Sequence, residues 1–310
     1  MEAMQLNISV VIPLYNKQAE IEATLRSVLE QTLSPLEIIV VDDGSTDDGA
    51  AVVERVGGER VRLVRQQNRG VSAARNRGIE LSRGEYIAFL DGDDRWHPDY
   101  LQSVADLIAR HPDCGAYGTA FHIDCDGELA EAATPQVEGI VDFFAESMQR
   151  YVLIPSAATL RRDLLLEVGG FPNGMRMGED QFVWTKVARR SKVAFMPMPL
   201  VIYSRSASNR SAASYRAEQT IYSFEQLYEP GAEDLSNEYI ARVALGKAIV
   251  ESVSGGEKRA REVARFFAYT KLSRRLLWRL RLLNIMPLFM RRWLHNIYCR
   301  LAWSIKKRGL

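Results

Sequence analysis

An α/β fold with a mostly parallel central sheet flanked by helices, continued by a C-terminal helical extension, is what this 310-residue sequence predicts. Three observations carry the prediction. Short apolar runs alternate with helical periodicity in units of about 20–30 residues, the pattern of right-handed βαβ crossovers. Two runs, Ile38-Ile39-Val40-Val41 and Ile87-Ala88-Phe89-Leu90, have no polar alternation and read as strands buried on both faces. Each is followed at once by an acidic cluster, Asp42-Asp43-Gly44-Ser45 and Asp91-Gly92-Asp93-Asp94. Both clusters then lie at the carboxyl edge of one sheet, where open α/β sheets bind their ligands.

The elements follow in order. Ile8-Ser9-Val10-Val11-Ile12-Pro13 predicts a buried first strand ending at a proline, and residues 18–31 place Ile21, Leu25, Val28 and Leu29 on one helical face. A second strand spans 36–41, a helix runs from Asp47 to Val56, and a third strand covers 60–66. Gly70 to Leu81 reads as helix and 85–90 as the fourth strand. Beyond Asp94 the alternation loosens. Pro98 to Arg110 predicts a helix, Gly115 to Ile123 a strand, and 124–138 a polar surface loop. Arg161 to Val168 predicts a short helix stopped by Gly169-Gly170. Glu179 to Arg190 is a further helix, and 193–203 reads as two short extended segments around Pro197 and Pro199. From Tyr215 onward the pattern is helical.

Composition narrows the classes. An apolar fraction of 47% with 25% charged residues is that of a globular protein and excludes gross disorder. Cys114, Cys125 and Cys299 are scattered and the four histidines dispersed, so neither a zinc motif nor a disulfide framework is indicated, and a reducing cytosol is expected. Met1 to Asn7 carries no secretory signal. The net charge of +1 conceals an asymmetry. Residues 271–310 hold eleven Lys/Arg and no Asp or Glu, so 29 basic and 39 acidic side chains remain for residues 1–270.

Several carboxylates converging on one sheet edge repel each other and call for a hard divalent cation. The order of the motifs is also recognisable. Val10-Val11-Ile12-Pro13-Leu14-Tyr15-Asn16-Lys17, Val40-Val41-Asp42-Asp43-Gly44-Ser45-Thr46-Asp47 and Asn68-Arg69-Gly70-Val71-Ser72-Ala73-Ala74-Arg75-Asn76 come first. Phe89-Leu90-Asp91-Gly92-Asp93-Asp94, Val168-Gly169-Gly170-Phe171 and Gly178-Glu179-Asp180 follow. Over residues 7–210 the chain resembles a family 2 glycosyltransferase. The resemblance implies the GT-A fold, with a Rossmann-like donor half (1–95) and an acceptor half (96–210). It also implies inverting transfer of a sugar from a nucleotide diphosphate donor, most often a UDP-sugar.

On that resemblance Pro13 and Tyr15 border the donor, Tyr15 placed to stack on the base, and Asp42 or Asp43 accepts the imide N–H. Arg75 reaches phosphate or base oxygens. Asp91-x-Asp93 is the metal element for Mg²⁺ or Mn²⁺, with Asp93 the direct ligand, Asp91 on the ribose or metal, and Asp94 in support. Asp180 is the implied base and Glu179 positions the acceptor. Two departures stand out. The Gln-x-x-Arg-Trp element of processive members is replaced by Gln181-Phe182-Val183-Trp184, which argues for one sugar per encounter. Ser206 stands where many relatives carry a histidine, leaving Arg205 or Arg210 to bind the diphosphate.

The tail completes the picture. Leu272, Leu276, Leu280 and Leu283 share one helical face, as do Leu294, Ile297, Tyr298 and Leu301, with arginines flanking them and Trp278, Trp293 and Trp303 as anchors. Such helices, over 257–310 after a helical segment at 211–256, fit the surface of an anionic membrane. The longest uncharged run, Leu282 to Met290, is interrupted by Pro287 and is too short to span a bilayer. Peripheral attachment to the inner face of the cell membrane, near a glycan or polyprenyl-linked acceptor, is the expectation, with no nucleic acid partner. Two other readings are a catalytically inactive scaffold of the same fold and a phosphorelay receiver. The receiver would require a lysine after a later strand, and no lysine occurs between Lys17 and Lys186.

Overall fold

The uninterrupted apolar run near the start of the chain forms β1 (Ile8–Leu14), every residue of which is buried. This computed structural model describes residues 6–205 and 220–307, with side chains described as far as residue 297. β1 pairs in parallel with β2 (Glu37–Asp42) on one side and with β4 (Tyr86–Phe89) on the other, and β2 pairs in parallel with β3 (Val61–Arg65). The crossovers contain α1 (Ile21–Leu29), α2 (Gly49–Gly57) and α3 (Val71–Leu81). Because side chains alternate between faces, Ile38 and Val40 join Ile21, Leu25 and Val28 in one core layer. Ile39 and Val41 meet Ala74 of α3 on the other face. Burial on both faces explains why these runs lack polar alternation. The register sets Leu14 opposite Asp42 and Val11 opposite Phe89, so the chain leaves β1, β2 and β4 at the same edge.

The second half of this unit departs from the expected mostly parallel sheet. β4 pairs antiparallel with β9 (Ala158–Arg161), and β9 pairs antiparallel with β6 (Cys114–Cys125). β6 runs parallel to β10 (Lys192–Ser204), whose far side takes the short β5 (Arg95–Trp96) antiparallel. The sheet is mixed, in the order β3-β2-β1-β4-β9-β6-β10-β5. The cause is local. A 3₁₀ turn at Pro155–Ala157 starts β9 beside the point where β4 ends, so β9 can only run back the other way. α4 (Tyr100–Arg110), α6 (Arg162–Glu167) and α7 (Glu179–Ala188) form as the sequence predicts.

Two smaller expectations are corrected. Residues 124–138 include a strand, β7 (Glu128–Glu131), folded back on β6 through Asp126 and Gly127 at φ of 56° and 88°. β8 (Gly139–Val141) and α5 (Phe143–Ser147) follow. β10 is a single strand rather than two segments. Register shifts between Met196 and Val201 absorb Pro197 and Pro199, which have no N–H to give the ladder.

Met1–Arg210 and Ser211–Leu310 form two compact units. In the second, residues 220–235 contain a 3₁₀ turn, Phe224–Leu227, rather than the expected continuous helix. α8 (Ser236–Ser254), α9 (Glu257–Phe266), α10 (Arg274–Ile285) and α11 (Leu288–Lys307) then pack together. Pro287 separates α10 from α11, since the residue before a proline is pushed out of helical conformation. The predicted leucine stripe is internal in its second half only: Leu280 and Leu283 are buried together with Leu277, while Leu276 is half-buried and Leu272 exposed. Arg291 is buried as well, donating to the carbonyls of Met286 and Ser252 and to Glu257. Tyr298, Arg300, Leu301 and Trp303 lie outside the described side chains. No described helix is long and apolar enough to cross a membrane.

Candidate active site

At the sheet edge the loops after β1 and β2 are tied together. Asn16 adopts a φ of 51°, its Oδ1 accepts from the Thr46 N–H (2.7 Å), and its own N–H donates to Ser45 Oγ (3.0 Å). Pro13 is buried in β1, while the adjacent Tyr15 is 44% exposed. Asp42 and Asp43 are both buried. Asp42 accepts from the Ser45 N–H (2.9 Å). Asp43 accepts from Gln66 Nε2 (2.7 Å) and from the N–H groups of Arg69 (3.0 Å) and Gly70 (2.7 Å). Asp43 therefore organises the 66–70 loop, a use the sequence did not suggest. Gly70, at a φ of 90°, opens α3 in a backbone conformation that side chains resist.

Arg75, one turn into α3, is buried. Its Nη2 donates to Asp91 Oδ1 (2.7 Å) and its Nη1 to Glu179 Oε1 (3.2 Å), with the Phe171 ring 5.1 Å from the guanidinium carbon. Arg75, expected to face phosphate or base oxygens, joins Asp91 of the second acidic cluster to Glu179 at the start of α7. Burial works against its charge, but Asp91, Glu179 and Asp180 outweigh burial and raise its pKa above the usual arginine value.

The three aspartates after β4 differ sharply in surroundings. Asp91 is half-buried on Arg75, and Asp93 Oδ2 accepts from Lys17 Nζ at 2.7 Å. Asp94 is buried, with Oδ1 accepting from the Ser204 N–H (2.8 Å) and Oδ2 from Ser156 Oγ. Burial, then the charges of Asp93 and Asp91, push its pKa well above the carboxylate range. Asp94 thus braces the end of β10. Ser156 Oγ also accepts from the Asp91 N–H (3.0 Å), which makes Ser156 a hub for this loop. Nothing in Leu153-Ile154-Pro155-Ser156 marks it out in the sequence.

Gly178, left-handed at a φ of 81°, starts α7 and sets Glu179 and Asp180 in its first turn. Asp180 Oδ1 accepts from the Gln181 N–H (2.8 Å). Burial first, and the Asp180 charge second, push Glu179 up to about 7, even though Arg75 pulls the other way. Burial likewise raises Asp180. Trp184 is fully buried, its ring 5.9 Å from that of Phe171, so the Gln181–Trp184 segment serves the core. Arg205 is exposed and donates its N–H to the Asp124 carbonyl (2.8 Å), whereas Ser206 and Arg210 lie outside the described residues.

Asp91 and Asp93 offer oxygen donors only. Among the described residues no group of three or more His, Cys, Asp or Glu converges as a metal cage. Two carboxylates without a cage suit Mg²⁺ or Mn²⁺, which take one or two carboxylates and complete their shell with substrate phosphates and water.

The model of the family described as glycosyl transferase family 2 matches residues 9–169, just over half of the chain. The chain is a family 2 glycosyltransferase. It is 31% identical over 220 residues to the uncharacterized protein MT1568 of Mycobacterium tuberculosis, covering 66% of this chain and 69% of that protein. An uncharacterized glycosyltransferase of Nostoc, alr2836, is 28% identical over 261 residues, 79% of each chain. In fold, this glycosyltransferase is similar to Staphylococcus aureus TarS 1–349, solved in complex with UDP-GlcNAc. The TM-score is 0.68 at 19% identity, over 94% of this chain and 92% of that one. The mixed sheet with flanking helices is the GT-A fold, with additional C-terminal helices.

Proposed function

We propose that this glycosyltransferase moves one sugar at a time from a UDP-sugar to a hydroxyl of a glycan or polyprenyl-linked acceptor, inverting the anomeric carbon, with Mg²⁺ or Mn²⁺ bound. The observation that carries the reading is the Arg75 bridge. One buried guanidinium touches Asp91, on the donor side, and Glu179, beside the base. In this reading residues 1–95 hold the donor and 96–210 the acceptor.

Tyr15 stacks on the base, with Pro13, Asp42 and Asp43 shaping its edge. Asp93 is the direct metal ligand, and Asp91 takes the ribose or supports the metal. When bound, the cation neutralises charge on the departing diphosphate. Asp180 takes the proton of the acceptor hydroxyl as its oxygen bonds to the anomeric carbon and the bond to the diphosphate breaks on the opposite face. Glu179 positions the acceptor, and Arg205 or Arg210 meets the diphosphate. Support for a uridine nucleotide comes from TarS, solved with UDP-GlcNAc. The burial of Trp184 favours single transfers.

The basic helices of 271–310, with eleven Lys/Arg and no acid, hold the enzyme to the anionic inner face of the cell membrane. A lipid-linked acceptor and a part in surface polysaccharide biosynthesis fit that location. A thermal-shift panel of nucleotide sugars with and without Mn²⁺ tests the reading. UDP-sugars raise the melting temperature, and Mn²⁺ increases the effect. If no nucleotide sugar stabilises the protein, the donor reading fails and the inactive scaffold takes its place.

A further inference from the structure

The C-terminal unit buries one side of α10 and leaves the other uncovered. Trp278 (71% exposed), Leu282 and Ile285 (81%) stand out from it, and Phe289 (72%) and Trp293 (62%) continue beyond Pro287 at the start of α11. At about 100° per residue, Trp278, Leu282 and Ile285 fall within roughly 60° of one another, opposite the buried Leu277, Leu280 and Leu283. Arg281 and Arg275 fall on the two margins of that strip. Both are exposed, and with Arg274 they form no ion pair among the described residues. Large side chains this exposed, three of them on one face of α10 and two more just beyond Pro287, mark an interaction surface. The absence of any Asp or Glu from 271–310 selects an anionic partner with an apolar interior.

We propose that this strip is a wedge that enters the acyl region of an anionic phospholipid bilayer, so that apolar burial rather than charge holds the protein there. The proposal rests on the membrane reading above and goes beyond it. Attachment by arginines alone is electrostatic and disappears at high salt. Apolar burial is insensitive to screening, and Trp278 and Trp293, near the two ends of the strip, are the amphipathic rings that settle at an interface. The arginines then lie level with the headgroups, oriented by the wedge.

Flotation of the full chain with phosphatidylcholine vesicles containing phosphatidylglycerol tests the proposal. It is run at low salt and at about 1 M NaCl, where the screening length falls to roughly 3 Å. The wild type floats in both. Ile285→Glu with Phe289→Glu, and separately Trp278→Ser with Trp293→Ser, lose flotation at high salt; all four positions are exposed, and matching melting curves establish folding. Wild type that floats only at low salt overturns the wedge and leaves electrostatic attachment standing; variants that float like wild type at high salt overturn the wedge and place the apolar contact on other residues. Wild type that floats in neither overturns both. A dimer in size-exclusion chromatography that the variants dissolve, without flotation, assigns the strip to a second copy of the chain instead.

Discussion

Lys17 and Asp93 form an ion pair of 2.7 Å, although 76 positions separate them in the sequence. The carboxylate proposed to ligate the metal is thus already neutralised by an ammonium from the loop after β1. If Asp93 ligates the cation as proposed, the cation and Lys17 compete for the same carboxylate. Lys17→Met is expected to tighten Mn²⁺ binding, read by electron paramagnetic resonance titration of free Mn²⁺. An increase of up to about fivefold is anticipated, because a partly screened pair is worth about 1 kcal/mol or less. Weaker Mn²⁺ binding would mean that Lys17 braces Asp93 for the metal rather than competing with it.

Arg75 makes a stronger statement. Removing the guanidinium strands Asp91 and Glu179 with no compensating charge in a largely buried site. Arg75→Met is expected to cost about 3–5 kcal/mol of stability, the penalty for breaking a buried pair. Arg75→Lys, which keeps the charge but not the planar fork, falls between. Urea denaturation at neutral pH measures both. A methionine variant as stable as wild type would show that the bridge contributes nothing to the folded state.

The difference between Asp93 and Arg75 illustrates what the sequence discloses. The acidic clusters were legible because an apolar run fixes a strand and a strand fixes where its last residue emerges. Ile38–Val41 and Ile87–Leu90 therefore place Asp42, Asp43 and Asp91 at the sheet edge from the sequence alone. Partners supplied from far along the chain were not legible. Nothing in Ala74-Arg75-Asn76 indicates that the guanidinium turns toward Glu179, 104 positions away. Ser156 carries no local signal either, and its role arises only because β9 starts beside the end of β4. In the tail, helical spacing correctly grouped Leu280 with Leu283, but periodicity alone does not tell which of two apolar faces the neighbouring helices cover.

Ser156 supplies a direct test of that hidden bracing. Ser156→Ala leaves the Asp91 N–H and the Asp94 carboxylate each without this partner. The expected loss is about 1–3 kcal/mol of stability, the cost of buried polar groups left unpaired. Weaker binding of UDP should accompany it, because the loop carrying Asp91 and Asp93 loosens. Calorimetric titration reads the affinity and urea denaturation the stability; unchanged values for both remove Ser156 from the site's support.

Glu179 links stability to catalysis through one titration. Burial and the neighbouring Asp180 hold its folded pKa at about 7, against an ordinary value of 4.5, with Arg75 and Asp91 the other charges acting on it. A carboxyl raised in this way contributes stability that is complete below about pH 4.5 and is lost as pH rises through about 7. Wild type should therefore lose melting temperature relative to Glu179→Gln over that interval. Catalysis runs in the opposite sense, since the base must be ionised to accept a proton. Turnover is expected to rise with pH along a limb displaced upward from the ordinary aspartate range, which belongs to the Glu179–Asp180 pair rather than to either residue. In Glu179→Gln, one like charge disappears and the limb moves to lower pH. Asp180→Asn removes the proposed base, with turnover expected to fall by about 10²–10⁴-fold at every pH while donor affinity stays nearly intact. If Asp180→Asn keeps turnover within tenfold of wild type, the base lies elsewhere; if the wild-type profile is flat between about pH 5.5 and 8.5, the pair is not the group whose proton governs transfer.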